Sequence, residues 1–119
     1  MHRFNVEFFE TSGGKQPAKE FLLSLDIKSR AKAADMISLL QENGPELREP
    51  YSKYLSDGIF ELRIKTVSGS VRIIYFFYLN RTIILANGFI KKTRKTPPTE
   101  IEKAKRYRKE YVKQKDQIK

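Results

Sequence analysis

The stretch that decides the fold is residues 57–97, DGIFELRIKTVSGSVRIIYFFYLNRTIILANGFIKKTRKTP. Segments rich in Ile, Val, Phe and Tyr, the residues that favour strands, occur at 59–65, 71–79 and 82–90. Short turn signals separate these segments at Ser68-Gly69-Ser70 and Asn80-Arg81. Strands joined by such short turns predict an antiparallel meander.

Side chains on these strands alternate between the two faces of the sheet. One face is apolar, and it collects Phe60, Leu62, Ile64, Val71, Ile73, Tyr75 and Phe77. The other face combines charged with apolar side chains, namely Glu61, Arg63, Lys65, Arg72, Ile74 and Phe76. We expect helices to cover the apolar face, and we expect a ligand or partner to lie on the mixed face.

The flanking segments predict further elements on both sides of the meander. Alternation indicates an opening strand at 4–8, and apolar stripes predict helices near 17–25 and 28–43. Residues 51–55 indicate a short extended piece. The expected fold class is α+β, in one domain over residues 1–119. Two N-terminal helices would pack on an antiparallel sheet, and a basic helix would follow at the C-terminus.

Positive charge is concentrated at the end of the chain. The 119 residues carry 24 Lys and Arg against 14 Asp and Glu, a formal net charge of +10. Residues 91–119 alone hold 12 of these basic residues against 4 acidic ones. Thr99 and Glu102 form a capping-box pattern that predicts the start of the final helix. Such a basic block is typical of polyanion binding, and a solvated basic helix is the alternative.

Composition excludes several classes of site. There is no Cys and only one His, His2, so the sequence predicts no thiolate metal site, disulfide, cysteine nucleophile or histidine cluster. No run approaches the roughly 18 apolar residues of a spanning helix. The first residues lack the apolar core of a signal peptide, which predicts a cytoplasmic protein without a membrane partner. Phosphate-loop, dinucleotide and nucleophile-elbow motifs are also absent.

Two basic groups could hold phosphate. Arg63 and Arg72 lie on neighbouring predicted strands and on the same face, and a guanidinium fork holds two phosphate oxygens at once. Glu61 offers a structural alternative, because a diagonal ion pair would neutralise part of this charge. The second group follows the last strand and comprises Lys91, Lys92, Arg94 and Lys95. Phe89 and Phe76 could stack on unpaired bases, although core packing is the favoured alternative for Phe76.

The acidic residues also limit the reaction type. No carboxylate cluster suits a two-metal nuclease, so if the protein cuts nucleic acid, the sequence predicts that it does so without a metal or other cofactor. Metal-free cleavage favours RNA, because the 2′-hydroxyl is an internal nucleophile. The protein would then supply orientation, proton transfer and charge stabilisation.

The ordered segments 57–63, 70–75 and 88–97 together resemble the RelE/HigB superfamily of bacterial toxin–antitoxin pairs, and within it the phage-derived HigB-like branch. The resemblance covers residues 3–112 in element order. It implies a RelE-like fold, with two N-terminal helices on a twisted antiparallel sheet. It also implies a ribosome-dependent mRNA endonuclease that inhibits translation and growth. A helix-turn-helix, HigA-like antitoxin would neutralise it, and their complex would bind operator DNA.

The resemblance assigns roles by position. Arg72 matches the active-site arginine and would stabilise the pentavalent phosphorane, while Arg63 would hold the phosphate. Lys91 or Lys92 would protonate the leaving 5′-oxygen or neutralise charge, and Glu61 would be a general base or would orient Arg63. The expected RNA-binding residues are Lys65, Phe89, Arg94 and Lys95. Some relatives use an active-site His, which this chain lacks. Some also use a catalytic Tyr near the C-terminus, for which this chain has no clear match.

Two other functions fit the same residues. A basic RNA- or ribosome-binding protein without catalysis would use the same patch, but only an endonuclease leaves new 5′ ends on mRNA. A gyrase-inhibiting toxin of the related ParE type has the same fold, but such toxins usually carry fewer of the basic catalytic residues. Inhibition of a topoisomerase would identify this function. An acidic or helix-turn-helix protein encoded beside this chain would support a toxin–antitoxin pair.

Overall fold

A computed structural model describes residues 3–79 and 81–117. Two residues named above lie outside the described residues, namely His2 and Asn80, the first residue of the predicted Asn80-Arg81 turn. In chain order the elements in this part are β1 Asn5–Phe8, α1 Pro17–Leu23, α2 Ile27–Asn43, a 3₁₀ turn Gly44–Glu46, β2 Ser52–Ser56, β3 Ile59–Thr66, β4 Gly69–Tyr78, β5 Thr82–Lys91 and α3 Pro98–Asp116. Every helix in the described residues is too short or too polar to traverse a membrane.

The predicted α+β class and the C-terminal helix are confirmed, but the sheet is mixed and not purely antiparallel as predicted. Its strand order is β1-β5-β4-β3-β2. β1 pairs in parallel with β5, with Asn5 opposite Thr82 and Phe8 opposite Leu85. The chain leaves β1 through both N-terminal helices and re-enters the sheet at the far edge, β2. Parallel pairing requires a long connection of this kind. Alternation within each strand does not reveal which distant strand it pairs with.

The strands β2 to β5 form an antiparallel meander. The three predicted strands of residues 57–97 agree with β3, β4 and β5 to within two residues at each end. The extended piece at 51–55 corresponds to β2, which pairs with the first half of β3. Each strand is short and joined locally to the next, so period-two alternation is enough to locate it.

Both N-terminal helices pack on the apolar face of the sheet. Their buried residues and those of the sheet form one core, which includes Ala18, Leu22, Ala33, Leu40, Leu62, Val71, Ile73 and Tyr75. α2 begins at Ile27 because Asp26 caps it, accepting a hydrogen bond from the Ser29 N–H at 3.0 Å. Hydrogen bonds from Ser29 and Ser68 lower the pKa of Asp26 to about 2. The hydrogen bond from Ser68 to Asp26 ties the start of α2 to the turn between β3 and β4.

α3 covers part of the opposite face of the sheet. Ile74 and Phe76 are buried there against Ala104 and Tyr111. The ring centroids of Phe76 and Tyr111 lie 5.9 Å apart. Core packing, the favoured prediction for Phe76, is therefore confirmed. The mixed face that was expected to receive a ligand is divided: α3 packs on its apolar half, and the charged half gathers around Glu61, which is itself buried.

α3 begins at Pro98, so the capping box predicted at Thr99 is wrong. Pro97 occupies the N-cap position, and no side chain caps the helix. Proline suits the first helical position because its φ is already helical and its missing N–H would be unpaired there. Near the other end of α3, Tyr111 donates a hydrogen bond to Glu7 at 2.8 Å. Burial and this carboxylate raise the pKa of Tyr111, which is a structural residue of the core.

Gly88 of β5 lies against Phe21 of α1. A Cβ at position 88 would overlap the Phe21 ring and come within 3.0 Å of Ile73 Cδ1. We expect Gly88→Ala to lower the free energy of unfolding by about 1–3 kcal/mol, measured by urea denaturation. Gly13→Ala is the matched control, because the nearest atom there is Thr11 Oγ1 at 3.8 Å. An equal loss of stability in both variants would contradict the steric explanation.

Candidate functional site

The strand register brings the main predicted site residues into adjacent rows on one sheet face. Arg63 lies opposite Arg72, and Arg72 lies opposite Phe89. In the next row, Glu61 lies opposite Lys53 of β2. Directly paired residues of neighbouring strands point to the same face. These side chains therefore share the sheet face on which α3 packs.

Glu61 is the centre of this face, and it is completely buried. Its Oε2 accepts a hydrogen bond from Arg63 Nε at 3.0 Å and lies 3.6 Å from Arg72 Nε. Its Oε1 accepts a hydrogen bond from the hydroxyl of Thr96, in the loop after β5. One buried carboxylate thus holds two arginines and the basic loop in fixed relative positions.

Arg72 is only 9% exposed, and its guanidinium is incompletely paired. Its Nη1 donates to Ser70 Oγ at 2.9 Å and to the Val71 carbonyl at 3.3 Å. Its buried Nε has no hydrogen-bond partner among the described residues, because 3.6 Å from Glu61 is an ion-pair distance and too long for a good hydrogen bond. Burial lowers the pKa of Arg72, Glu61 opposes this shift, and Arg63 adds to it. The guanidinium nevertheless stays charged.

Arg63 is half-buried and contacts two carboxylates. Besides Glu61, its Nη1 donates to Glu49 Oε1 at 3.4 Å. Glu49 is exposed and lies in the loop before β2. The sequence reasoning missed Glu49, because its contact depends on where the chain returns to the sheet. No local pattern in that loop marks it.

Lys91 is the last residue of β5 and lies opposite Ser70, on the site face. Burial lowers the pKa of Lys91, and neighbouring cations lower it further while Glu61 raises it. Those cations are Arg72, Arg63 and Lys53. Lys92 follows the end of the strand and is exposed. The structure therefore brings Lys91, and not Lys92, into the arginine cluster.

A surface cavity of about 250 Å³ adjoins the cluster along the basic loop. The cationic side chains that line it are Lys53, Arg63, Lys91, Arg94 and Lys95. Among the described residues, no carboxylate lines this cavity. Like charges gathered around a concave surface create a local positive potential that attracts an anion. We call this feature the cationic cavity, and it contains two of the expected RNA-binding residues, Arg94 and Lys95.

The two other expected RNA-binding residues, Lys65 and Phe89, do not line the cationic cavity. Lys65 lines a separate groove with Lys28 and Lys32 of α2, so it is not part of the cationic cavity. It lies near the end of β3, beyond Leu62, where the pairing with β2 stops. Phe89 is half-buried and packs against the core beneath α3, so only part of it is accessible.

Lys53 belongs to the site, and the sequence reasoning missed it. It lies opposite Glu61, lines the cationic cavity and contributes to the lowered pKa of Lys91. Counting back and forward from the Asp57-Gly58 turn would pair Lys53 with Leu62, on the opposite face of the sheet from Glu61. The register shift between Tyr54 and Ser56 brings Lys53 opposite Glu61 instead, and no local pattern in the sequence marks that shift.

Comparison with known proteins gives one family match. The family model described as Phage derived protein Gp49-like (DUF891) matches residues 20–109. The matched range includes most of α1, all of α2, β2 to β5 and much of α3. It also contains every site residue named above. No curated protein matches the chain.

Proposed function

Because the chain belongs to the Gp49-like family of phage-derived proteins, which are RelE/HigB-like toxins, we propose that it is a HigB-like toxin that cleaves messenger RNA on the ribosome. The observation that carries this proposal is the pair Arg63 and Arg72, facing each other beside one buried carboxylate, with Lys91 nearby. Three cations then face one enclosed anion. The remaining positive charge suits the phosphate of an RNA strand.

The proposed reaction is an internal displacement at phosphorus. The 2′-oxygen loses its proton and bonds to the phosphorus, the bond to the 5′-oxygen breaks, and that oxygen takes up a proton. The products are a 2′,3′-cyclic phosphate and a new 5′-hydroxyl end. The reaction needs orientation, proton transfer and stabilisation of the charge on the pentavalent phosphorane.

The geometry supports a distinct role for each charged group. The nearly enclosed positive charge of Arg72 supports stabilisation of the phosphorane, and Arg63, which lines the cationic cavity, is suited to gripping the phosphate. The lowered pKa of Lys91 makes it a better acid for the leaving oxygen. Glu61 is enclosed by the two arginines and Thr96, which supports an orienting role over that of a general base.

The direct test is cleavage of a defined message on purified ribosomes. Primer extension should detect new 5′ ends in reactions that contain ribosomes, mRNA and this protein, and the ends should carry hydroxyl groups. Intact message under these conditions would reject the endonuclease assignment. Inhibition of a topoisomerase by the same preparation would then identify a ParE-type toxin, whereas ribosome binding alone would identify a non-catalytic binder.

We expect Lys91→Met to slow mRNA cleavage by about 10²–10⁴-fold, the usual contribution of a positioned acid. Lys92→Met is the matched control, because Lys92 is exposed just past the strand end. It should cleave at close to the native rate, and equal losses in both variants would contradict the assignment. An NMR titration should place the pKa of Lys91 below its ordinary value of 10.5. Lys53→Met should raise that pKa, since it removes a neighbouring positive charge.

The proposed partners follow from this activity. The ribosome and mRNA are the targets, which corresponds to a cytoplasmic location. A HigA-like, helix-turn-helix antitoxin would have to block access to the cationic cavity, and the complex would bind operator DNA through the antitoxin. Co-expression with the product of a neighbouring gene should restore growth and give a stable complex on purification.

A further inference from the structure

A second cavity, of about 420 Å³, lies at the free edge of the sheet beside β2. Its lining includes Pro45, Leu47, Arg48, Lys53, Tyr54 and Phe60. Lys53 and Tyr54 also line the cationic cavity, so the two cavities are neighbours across β2. Tyr54 lies opposite Phe60, on the face that the N-terminal helices cover, so an RNA strand bound to both cavities would pass around the free edge of β2. We call this second feature the edge cavity.

Tyr54 is the most exposed aromatic residue of the edge cavity, yet it is held in place. Tyr54 is 56% exposed. Its ring packs edge-on against Phe60, with centroids 5.3 Å apart. Its hydroxyl accepts a hydrogen bond from the Gly58 N–H at 3.3 Å. A ring fixed before the ligand arrives loses little conformational entropy on binding, so this exposed aromatic surface is preorganised.

The charges around the edge cavity favour an occupant with a negative backbone and a flat apolar group. Arg48 and Lys53 are exposed cations of its lining. Glu49, which also lines it, already contacts Arg63. Aromatic side chains beside a cationic track are the usual means of gripping single-stranded RNA, because bases stack on the rings while cations follow the phosphates.

We propose that the edge cavity receives the base of the nucleotide next to the phosphate held by Arg63 and Arg72, with that base stacked on Tyr54. Lys53, which lines both cavities, contacts the intervening backbone. The inference rests on the proposed function, because the phosphate at the arginine pair defines the position of the neighbouring nucleotide. It adds a base-binding subsite, whose stacking surface accepts any base.

The test is a thermodynamic cycle between Tyr54 and one base of the RNA. The probe is a fluorescent single-stranded RNA oligonucleotide with a 2′-deoxy sugar at the cut position, so that it binds without being cleaved. Two further probes carry an abasic site on one or the other side of that position. For the native protein, fluorescence anisotropy at low salt should show that one abasic probe binds about 5- to 150-fold more weakly than the intact probe.

Tyr54→Ala should weaken binding of the intact probe by a similar factor and remove the difference between the intact and abasic probes. Tyr54→Phe, which keeps the ring, should retain both the affinity and the difference. Tyr51→Ala is the matched control, because Tyr51 is 48% exposed nearby but is not among the residues lining either cavity. Thermal unfolding of each variant checks that the proteins compared are folded.

Three results would overturn the inference: an undiminished abasic effect in folded Tyr54→Ala, an equal change in Tyr51→Ala, or no affinity of the native protein for any probe. The cleavage assay on ribosomes reports on the proposed function separately. Cleavage without coupling between Tyr54 and the base would refute only the subsite. Coupling without cleavage would support the subsite and refute the endonuclease.

Discussion

Arg72→Ala is expected to abolish growth inhibition while the protein stays folded. The substitution removes the guanidinium charge beside Glu61 that would stabilise the phosphorane. Removing one such stabilising group typically costs about 10²–10³ in rate. The fold should survive, because Glu61 keeps its hydrogen bonds from Arg63 and Thr96. Growth curves and primer extension at matched expression levels measure the effect, and circular dichroism reports on the fold.

Two further substitutions make the Arg72 result specific. Arg72→Lys keeps the positive charge but removes the planar fork, so cleavage should stay well below the native rate. Arg81→Ala removes an exposed arginine that lies over the Phe4 ring, away from the site, and should leave toxicity intact. Full toxicity of Arg72→Ala at equal expression would refute the role of Arg72.

Glu61→Gln is expected to have the largest effect on stability. The substitution keeps the size of the side chain but removes the negative charge that lies beside Arg63 and Arg72. Breaking a buried ion pair from one side typically costs about 3–5 kcal/mol, because the remaining charge stays buried and uncompensated. Cleavage should fall as well, since the two guanidiniums would repel each other. Urea unfolding gives the free energy, and the ribosome assay gives the activity.

The control for Glu61→Gln is Glu46→Gln, which breaks an exposed ion pair. Glu46 accepts a hydrogen bond from Arg3 at 2.8 Å, but both side chains are more than half exposed. Exposed pairs of this kind contribute about 0–1 kcal/mol, so this variant should be nearly as stable as the native protein. If Glu61→Gln lost no more stability than Glu46→Gln, the buried carboxylate would not be what holds the arginines in place.

The meander was predictable because its signals are local. Each of β3, β4 and β5 is a short alternating segment bounded by turn residues, and pairing with the next strand needs only the turn between them. The position of β1 was not predictable in this way. Its partner, β5, is about 75 residues further along the chain, and packing of the intervening helices determines which strand it meets.

The candidate site was partly predictable for the same reason. Alternation placed Glu61, Arg63 and Arg72 on one face, and the structure has them there in adjacent rows. Alternation alone left the choice between Lys91 and Lys92 open, because the choice depends on where β5 ends and on which charges lie nearby.

By itself, the sequence determined the α+β class, the meander and the sheet face that carries the arginine pair. These properties follow from side-chain period and turn chemistry, which act over a few residues. Only the tertiary structure decided that β1 lies parallel to β5 and that α3 covers Phe76. It also decided that Lys53 joins the charged cluster. These outcomes depend on packing and pairing between distant segments, whose free energy is the sum of many contacts that no local pattern contains.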